Sequence, residues 1–178
     1  MNLPKVLVGC PTYEGSAYCL DPFIKRIKGL SYKNYDILII DNSEGDKYYN
    51  QIKEKGVQVI KEKRFETPLD TLIHSRNSII DYALKNSYDY LLMLDQDVIP
   101  PLNIIEELMQ FDKDIISGIY FNYFTTNQKV KYLPVAWKWI TPEEFEKMQK
   151  IAQFPPSVKS HKDIRRHLTL EEAKGEIL

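Results

Sequence analysis

The sequence predicts an α/β fold, a mostly parallel central sheet with helices on both faces. Five short apolar runs recur through its first two thirds. The segments between several of them carry helical spacing. The runs are continuous rather than alternating, as strands buried on both faces require. Strands that alternate with helices build layered α/β domains.

Each element can be read in order. Lys5 to Cys10, with Val6-Leu7-Val8, is a buried strand that Pro11 should stop. Phe23, Ile24, Ile27 and Leu30 mark one face of a helix from Pro22. Tyr35 to Ile40 is the second strand, closed by the turn-rich Asp41-Asn42-Ser43-Glu44-Gly45. Lys47 to Lys55 is an amphipathic helix with Gly56 placed to cap it, and Val57 to Ile60 is the third strand. After a charged loop, Leu72 to Asn86 is the clearest helix, its buried side interrupted by His74-Ser75-Arg76-Asn77. Tyr90 to Leu94 is the fourth strand and runs into Asp95-Gln96-Asp97. Pro100-Pro101 opens a helix from about Asn103 to Phe111, and Asp114 to Tyr120 is a fifth strand.

After Phe124 the character changes. Tyr132 to Ile140 is extended and aromatic, and Thr141-Pro142-Glu143-Glu144 has the form of a capping box. Gln153 to His167 reads as loop or mobile segment, and Thr169 to Ile177 as one more short helix. The reading is a single domain over 1–178, with a ligand-binding half over 1–124 and a reduced C-terminal part over 125–178.

Composition narrows the function. A net charge of −1 gives no global field toward nucleic acid or membrane surfaces. Cys10 and Cys19 match no common zinc spacing, and Cys10 reads as a small buried hydrophobe. No apolar run approaches the ~20 residues that cross a bilayer. The expectation is a cytoplasmic protein, with attachment to a membrane through a partner left open. The twelve tyrosines and seven phenylalanines allow two readings. They pack core and edges, or they form a platform for sugar rings or a nucleobase.

Ligands of open parallel sheets sit beyond the carboxyl ends of the strands. Three such ends are distinctive here: Pro11-Thr12-Tyr13-Glu14-Gly15, Asp41-Asn42-Ser43 and Asp95-Gln96-Asp97. The last matters most. Two carboxylates two residues apart face one side of an extended chain and repel unless a hard cation joins them. Carboxylates and phosphate oxygens are natural ligands of Mg²⁺ or Mn²⁺.

Other chemistries are excluded by missing residues. There is no G-x-x-x-x-G-K-[ST], no G-x-G-x-x-G after the first strand and no G-x-S-x-G. His74, His161 and His167 are too scattered for a sequence-local zinc site. A receiver domain needs acids after the first strand, where this chain has Cys10-Pro11-Thr12-Tyr13.

Val6 to Gly15, Asp36 to Ser43, Arg76-Asn77 and Leu92 to Pro101 together resemble the nucleotide-binding half of GT-A glycosyltransferases, especially the family-2-like group. The likeness covers roughly residues 4–122. The small size and Lys/Ile/Tyr-rich composition also resemble compact versions encoded by viruses of thermophilic archaea. The resemblance implies a hexosyltransferase-like enzyme that takes a UDP- or GDP-linked sugar and Mn²⁺ or Mg²⁺, with a glycan, lipid or protein as acceptor. Pro11, Thr12, Tyr13 and Glu14 would line the nucleoside pocket, and Asp41 would accept a hydrogen bond from the base or simply form a turn. Arg76 would approach the diphosphate or the base, or pair with an acid such as Asp41 or Asp70. Asp95 would touch ribose and metal, with Gln96 beside it. Asp97 would be the principal metal ligand, and Gly118 would leave room for a sugar.

The chain departs from that family pattern in its second part. Glu143 and Glu144 are the acidic pair nearest to where a general base belongs, yet they also suit a helix start. No glycine-containing acceptor segment is recognisable, and His161 and His167 are candidate metal partners. Two alternatives stand beside the enzyme: a nucleotide-sugar-binding or interaction protein without transfer activity, and a nucleotidyltransferase. The latter needs a glycine-rich basic loop that Pro11 to Gly15 does not supply.

Overall fold

The computed structural model describes residues 3–126, 129–169 and 171–172. It divides into two compact units, Met1–Asp114 and Ile115–Leu178. The break falls before the change of character seen after Phe124.

The first unit is built on four parallel strands: β1 (Val6–Thr12), β2 (Tyr35–Asp41), β3 (Gln58–Lys61) and β4 (Tyr90–Met93). Their spatial order is β3-β2-β1-β4, and Thr12, Asp41 and Lys61 lie in register at the carboxyl ends. β1 is central and buried along its whole length, which is why its sequence shows no alternation. Its two faces still differ. Val6, Val8 and Cys10 pack against α1 (Leu20–Lys28), α2 (Lys47–Glu54) and α4 (Ile104–Met109) through Phe23, Ile27, Ile52 and Ile105. On the opposite face Leu7, with Leu38 and Ile40 of β2, packs against Ile79 and Ala83 of α3 (Pro68–Lys85). Side chains alternating across each strand therefore serve two cores, one per sheet face. Gly9 sits under α3, where a Cβ would come within 2.3 Å of Ile79 Cγ2. No other residue type lets the helix lie this close.

Three expectations change. Pro11 does not end β1, which continues to Thr12. Gly9 offers its carbonyl to Leu94 at 2.9 Å, whereas the Thr12 carbonyl accepts from Asn42 at 3.0 Å. Odd positions of β1 thus face β4, which has already ended at Met93, so the missing N–H of Pro11 interrupts no ladder bond. Asp114 to Tyr120 is not a strand. Among the described residues it joins no strand ladder, although its Tyr120 carbonyl accepts from the Val135 N–H at 2.7 Å, and Ile115 is 93% exposed. Helix α3 starts at Pro68 rather than Leu72, with Thr67 accepting the Asp70 N–H as its cap and Pro68 in the first turn.

The second unit is antiparallel. β5 (Phe121–Thr126) pairs with β6 (Lys129–Pro134), and β7 (Trp137–Trp139) with β8 (Arg165–His167). α5 (Pro142–Gln149) carries the expected capping box. The segment read as loop contains a 3-10 turn at His161–Asp163 and β8 itself. Most of the helix expected from Thr169 to Ile177 lies outside the described residues. Among the described residues no helix is long and apolar enough to cross a membrane.

Candidate active site

The carboxyl ends of β1 to β4 form one rim, and the distinctive residues of the first unit gather on it. Beyond β4 the chain enters a turn, with Val98 N–H donating to the Asp95 carbonyl at 3.0 Å. Asp95 and Asp97 are exposed and Gln96 between them is 4% exposed. The acids share the outer side because Gln96 points inward, not because the chain stays extended. Burial, then the field of Asp95, then the fields of Cys19 and Asp97, push the Cys10 thiol well above its ordinary value. Both carboxylates therefore bear on the same end of β1.

Gln96, expected beside a ligand, anchors the turn through its own hydrogen bonds. Its Oε1 accepts from the Tyr48 hydroxyl at 2.9 Å and from the Thr12 hydroxyl. Its Nε2 donates to the Ser16 carbonyl at 2.7 Å. One side chain thus ties the turn after β4 to β1, to α2 and to the 3-10 helix Glu14–Cys19. Buried polar groups satisfied this fully fix geometry.

Arg76 of α3 donates from Nη2 to Asp95 Oδ1 at 2.9 Å, so its ion-pair partner is Asp95 rather than Asp41 or Asp70. The pair is partly exposed, and Arg76 Nε is buried without a hydrogen-bond partner. Asp97 has no hydrogen-bond or ion-pair partner among the described residues. Among those residues no three His, Cys, Asp or Glu side chains are grouped to hold a metal. The donor set is then two carboxylates on an open rim. It suits Mg²⁺ or Mn²⁺, which take a few carboxylate oxygens and fill their remaining positions from phosphate and water.

Of the four residues expected around a nucleoside, Tyr13 and Glu14 are exposed, whereas the side chains of Pro11 and Thr12 are buried and turned inward. Arg64, which no sequence pattern singles out, lies 5.5 Å from the Tyr13 ring centre and 4.0 Å from Glu14. Asp41 is fully buried. Ser43 N–H donates to its Oδ1 at 3.0 Å and Lys61 Nζ to its Oδ2 at 2.9 Å. As placed, it closes the turn after β2 and presents nothing to a base. Asn77 is exposed on α3, and Gly118 has open space around it.

In the second unit Glu144 serves the helix start. Glu144 Oε2 accepts the Thr141 N–H at 2.8 Å, and Arg166 Nε donates to its Oε1 at 3.0 Å. The Thr141 N–H and then Arg166 hold the Glu144 carboxyl below its usual range. Hydrogen bonds from its own N–H and from Thr141 do the same for Glu143. Glu144 is thus engaged by the capping box and by Arg166, and Glu143 stands beside it in the first turn of α5. His167 is also engaged, with Nδ1 3.0 Å from the Pro134 carbonyl and its ring against Phe124 and Trp137. His161 stands in the 3-10 turn.

The four-stranded parallel sheet with its helices is the GT-A arrangement. The chain is similar in fold to a mannosyltransferase, PcManGT from Pyrobaculum calidifontis, solved in complex with GDP-Man and Mn²⁺. The identity is 15%, the TM-score 0.53, and the match covers 67% of this chain and 35% of that one. It also matches TarS of S. aureus at 17% identity and a TM-score of 0.46, over 60% of this chain and 19% of that one. A family model described as Anp1 matches residues 70–154, a span that includes Asp95 and Asp97. No curated protein matches. The chain thus spans about a third or less of the solved proteins it resembles.

Proposed function

We propose that this chain moves a hexose from a GDP- or UDP-linked donor to an acceptor hydroxyl, with Mn²⁺ or Mg²⁺ held by Asp95 and Asp97. The observation that carries the proposal is the outward pair of carboxylates at the mouth of β4, locked around an inward Gln96 on a GT-A sheet. The Anp1 match points the same way, since that is a mannosyltransferase family. So does the GDP-Man and Mn²⁺ complex of a protein similar in fold. When bound, the cation supplies neutralisation of the charge on a departing diphosphate. The chain's own residues do the placing. Asp97 offers both of its oxygens, Asp95 offers Oδ2 while Arg76 holds Oδ1, and Gln96 keeps the turn rigid. Tyr13 presents an exposed ring to the nucleoside.

A thermal-shift comparison of nucleotide-sugars tests this reading. A GDP- or UDP-linked sugar should raise the melting temperature with Mn²⁺ present and leave it unmoved with chelator. The same rise in chelator would remove the metal from the account.

The engagement of Glu144 by its helix cap and by Arg166 favours one second reading, a nucleotide-sugar-binding protein that does not transfer. Sugar transfer or donor hydrolysis by the purified chain would eliminate it. Donor binding without turnover across an acceptor panel would establish it.

A further inference from the structure

If the chain binds a nucleoside diphosphate as proposed, something on the rim must read the base. Asp41 is the residue that the family resemblance offers, and here it is spent on Lys61 and Ser43. The next residue round the rim is Glu62, at the exit of β3. Its N–H donates to the Asp41 carbonyl at 2.8 Å, which fixes the backbone of Glu62 beside the turn after β2. Its side chain is only 15% exposed, and its Oε2 is buried without a hydrogen-bond partner. Leaving a buried acceptor unmatched costs about 1–3 kcal/mol, more when it is charged. Such an atom is expected to meet a donor in some state of the protein.

The neighbour of that oxygen shows what kind of donor fits. His74 Nε2 lies 3.7 Å away, within ion-pair range of a protonated imidazole but too far for a hydrogen bond, and the His74 ring packs on Phe65 with centroids 4.7 Å apart and planes tilted by 51°. A flat nitrogen heterocycle packed against Phe65, with its N–H edge toward Glu62, is what a nucleobase would supply. The loop is held for this. Phe65 N–H donates to Thr71 Oγ1 at 2.9 Å, and Thr71 is anchored in the first turn of α3. The strand order places Glu62 at the opposite end of the rim from Asp95, three strand spacings or roughly 14 Å away. A nucleoside diphosphate stretches over that length scale from base to outer phosphate.

We infer that Glu62 is the base-specificity residue, accepting hydrogen bonds from guanine in the place that the His74 ring now takes. An ionised carboxylate is acceptor-only. Guanine offers it two adjacent donors, N1–H and the 2-amino group. Uracil offers one N–H flanked by two carbonyls, which the second carboxylate oxygen would repel. Hypoxanthine, lacking the 2-amino group, stands between them.

Calorimetric titration of GDP, IDP and UDP in the presence of Mn²⁺ tests this on the whole chain. The wild type should bind GDP at least 10-fold tighter than UDP, with IDP between. Glu62→Gln should weaken GDP about 10-fold and leave UDP within twofold, with an unchanged melting temperature as the check on folding. A folded Glu62→Gln that keeps the GDP-to-UDP ratio overturns the inference. So does a wild type that binds UDP as tightly as GDP, whatever the variant does. If none of the three diphosphates binds, the donor proposal itself fails, and that outcome is distinct from a lost base preference.

Discussion

Asp97→Ala should reduce Mn²⁺-dependent binding of the nucleoside diphosphate about 100-fold or more, down to what the wild type shows in chelator. The exposed carboxylate of Asp97 has no internal partner among the described residues, so its removal should cost little stability. Surface substitutions of this kind stay within about 0.5 kcal/mol. Binding should respond far more strongly. Loss of the outer partners of metal ligands already costs about 10–100-fold, and Asp97 is proposed as a ligand itself. Asp95 does not compensate, since one of its oxygens carries Arg76. Calorimetry with and without metal, paired with a thermal melt, separates the two effects. Unchanged affinity in a folded Asp97→Ala protein would move the metal elsewhere.

Gln96→Leu should be the most damaging single change on the rim. Leucine preserves volume and removes every hydrogen bond at once. The hydroxyls of Thr12 and Tyr48 and the carbonyl of Ser16 lose their common partner in a buried place. At about 1–3 kcal/mol for each group left unsatisfied, and with partial relaxation, a loss of roughly 2–4 kcal/mol follows. For a unit of this size that is about 10–20 °C in melting temperature. Circular dichroism melts measure it directly. A change below about 2 °C would show that Gln96 does not anchor the turn.

The first unit was legible wherever burial alone decides structure. β1 and the second half of β2 are continuous apolar runs because both of their faces are covered, and Phe23, Ile24 and Ile27 mark the buried side of α1 because one helical face meets the sheet. The capping box at Thr141 is local chemistry and could be read as such. What the sequence hid depends on partners far along the chain. Spacing places Asp95 and Asp97 on a strand end. The inward turn of Gln96 needs Thr12 and Tyr48, which lie 84 and 48 residues away. The burial of Asp41 needs Lys61, and the proximity of Glu62 to His74 needs α3 to return over the sheet. Asp114 to Tyr120 misled because an apolar, β-branched run has strand propensity whether or not a neighbouring strand exists to pair with it.

The central claim is that the Asp95–Asp97 turn holds a divalent cation together with a diphosphate. Electron paramagnetic resonance of Mn²⁺, titrated with the protein and GDP or UDP, examines it most directly. The sharp signal of the free ion should fall as the ternary complex forms, and it should persist when Asp97→Ala replaces the wild type. Equal loss of the free-ion signal with both proteins, beyond what nucleotide alone removes, would contradict the account.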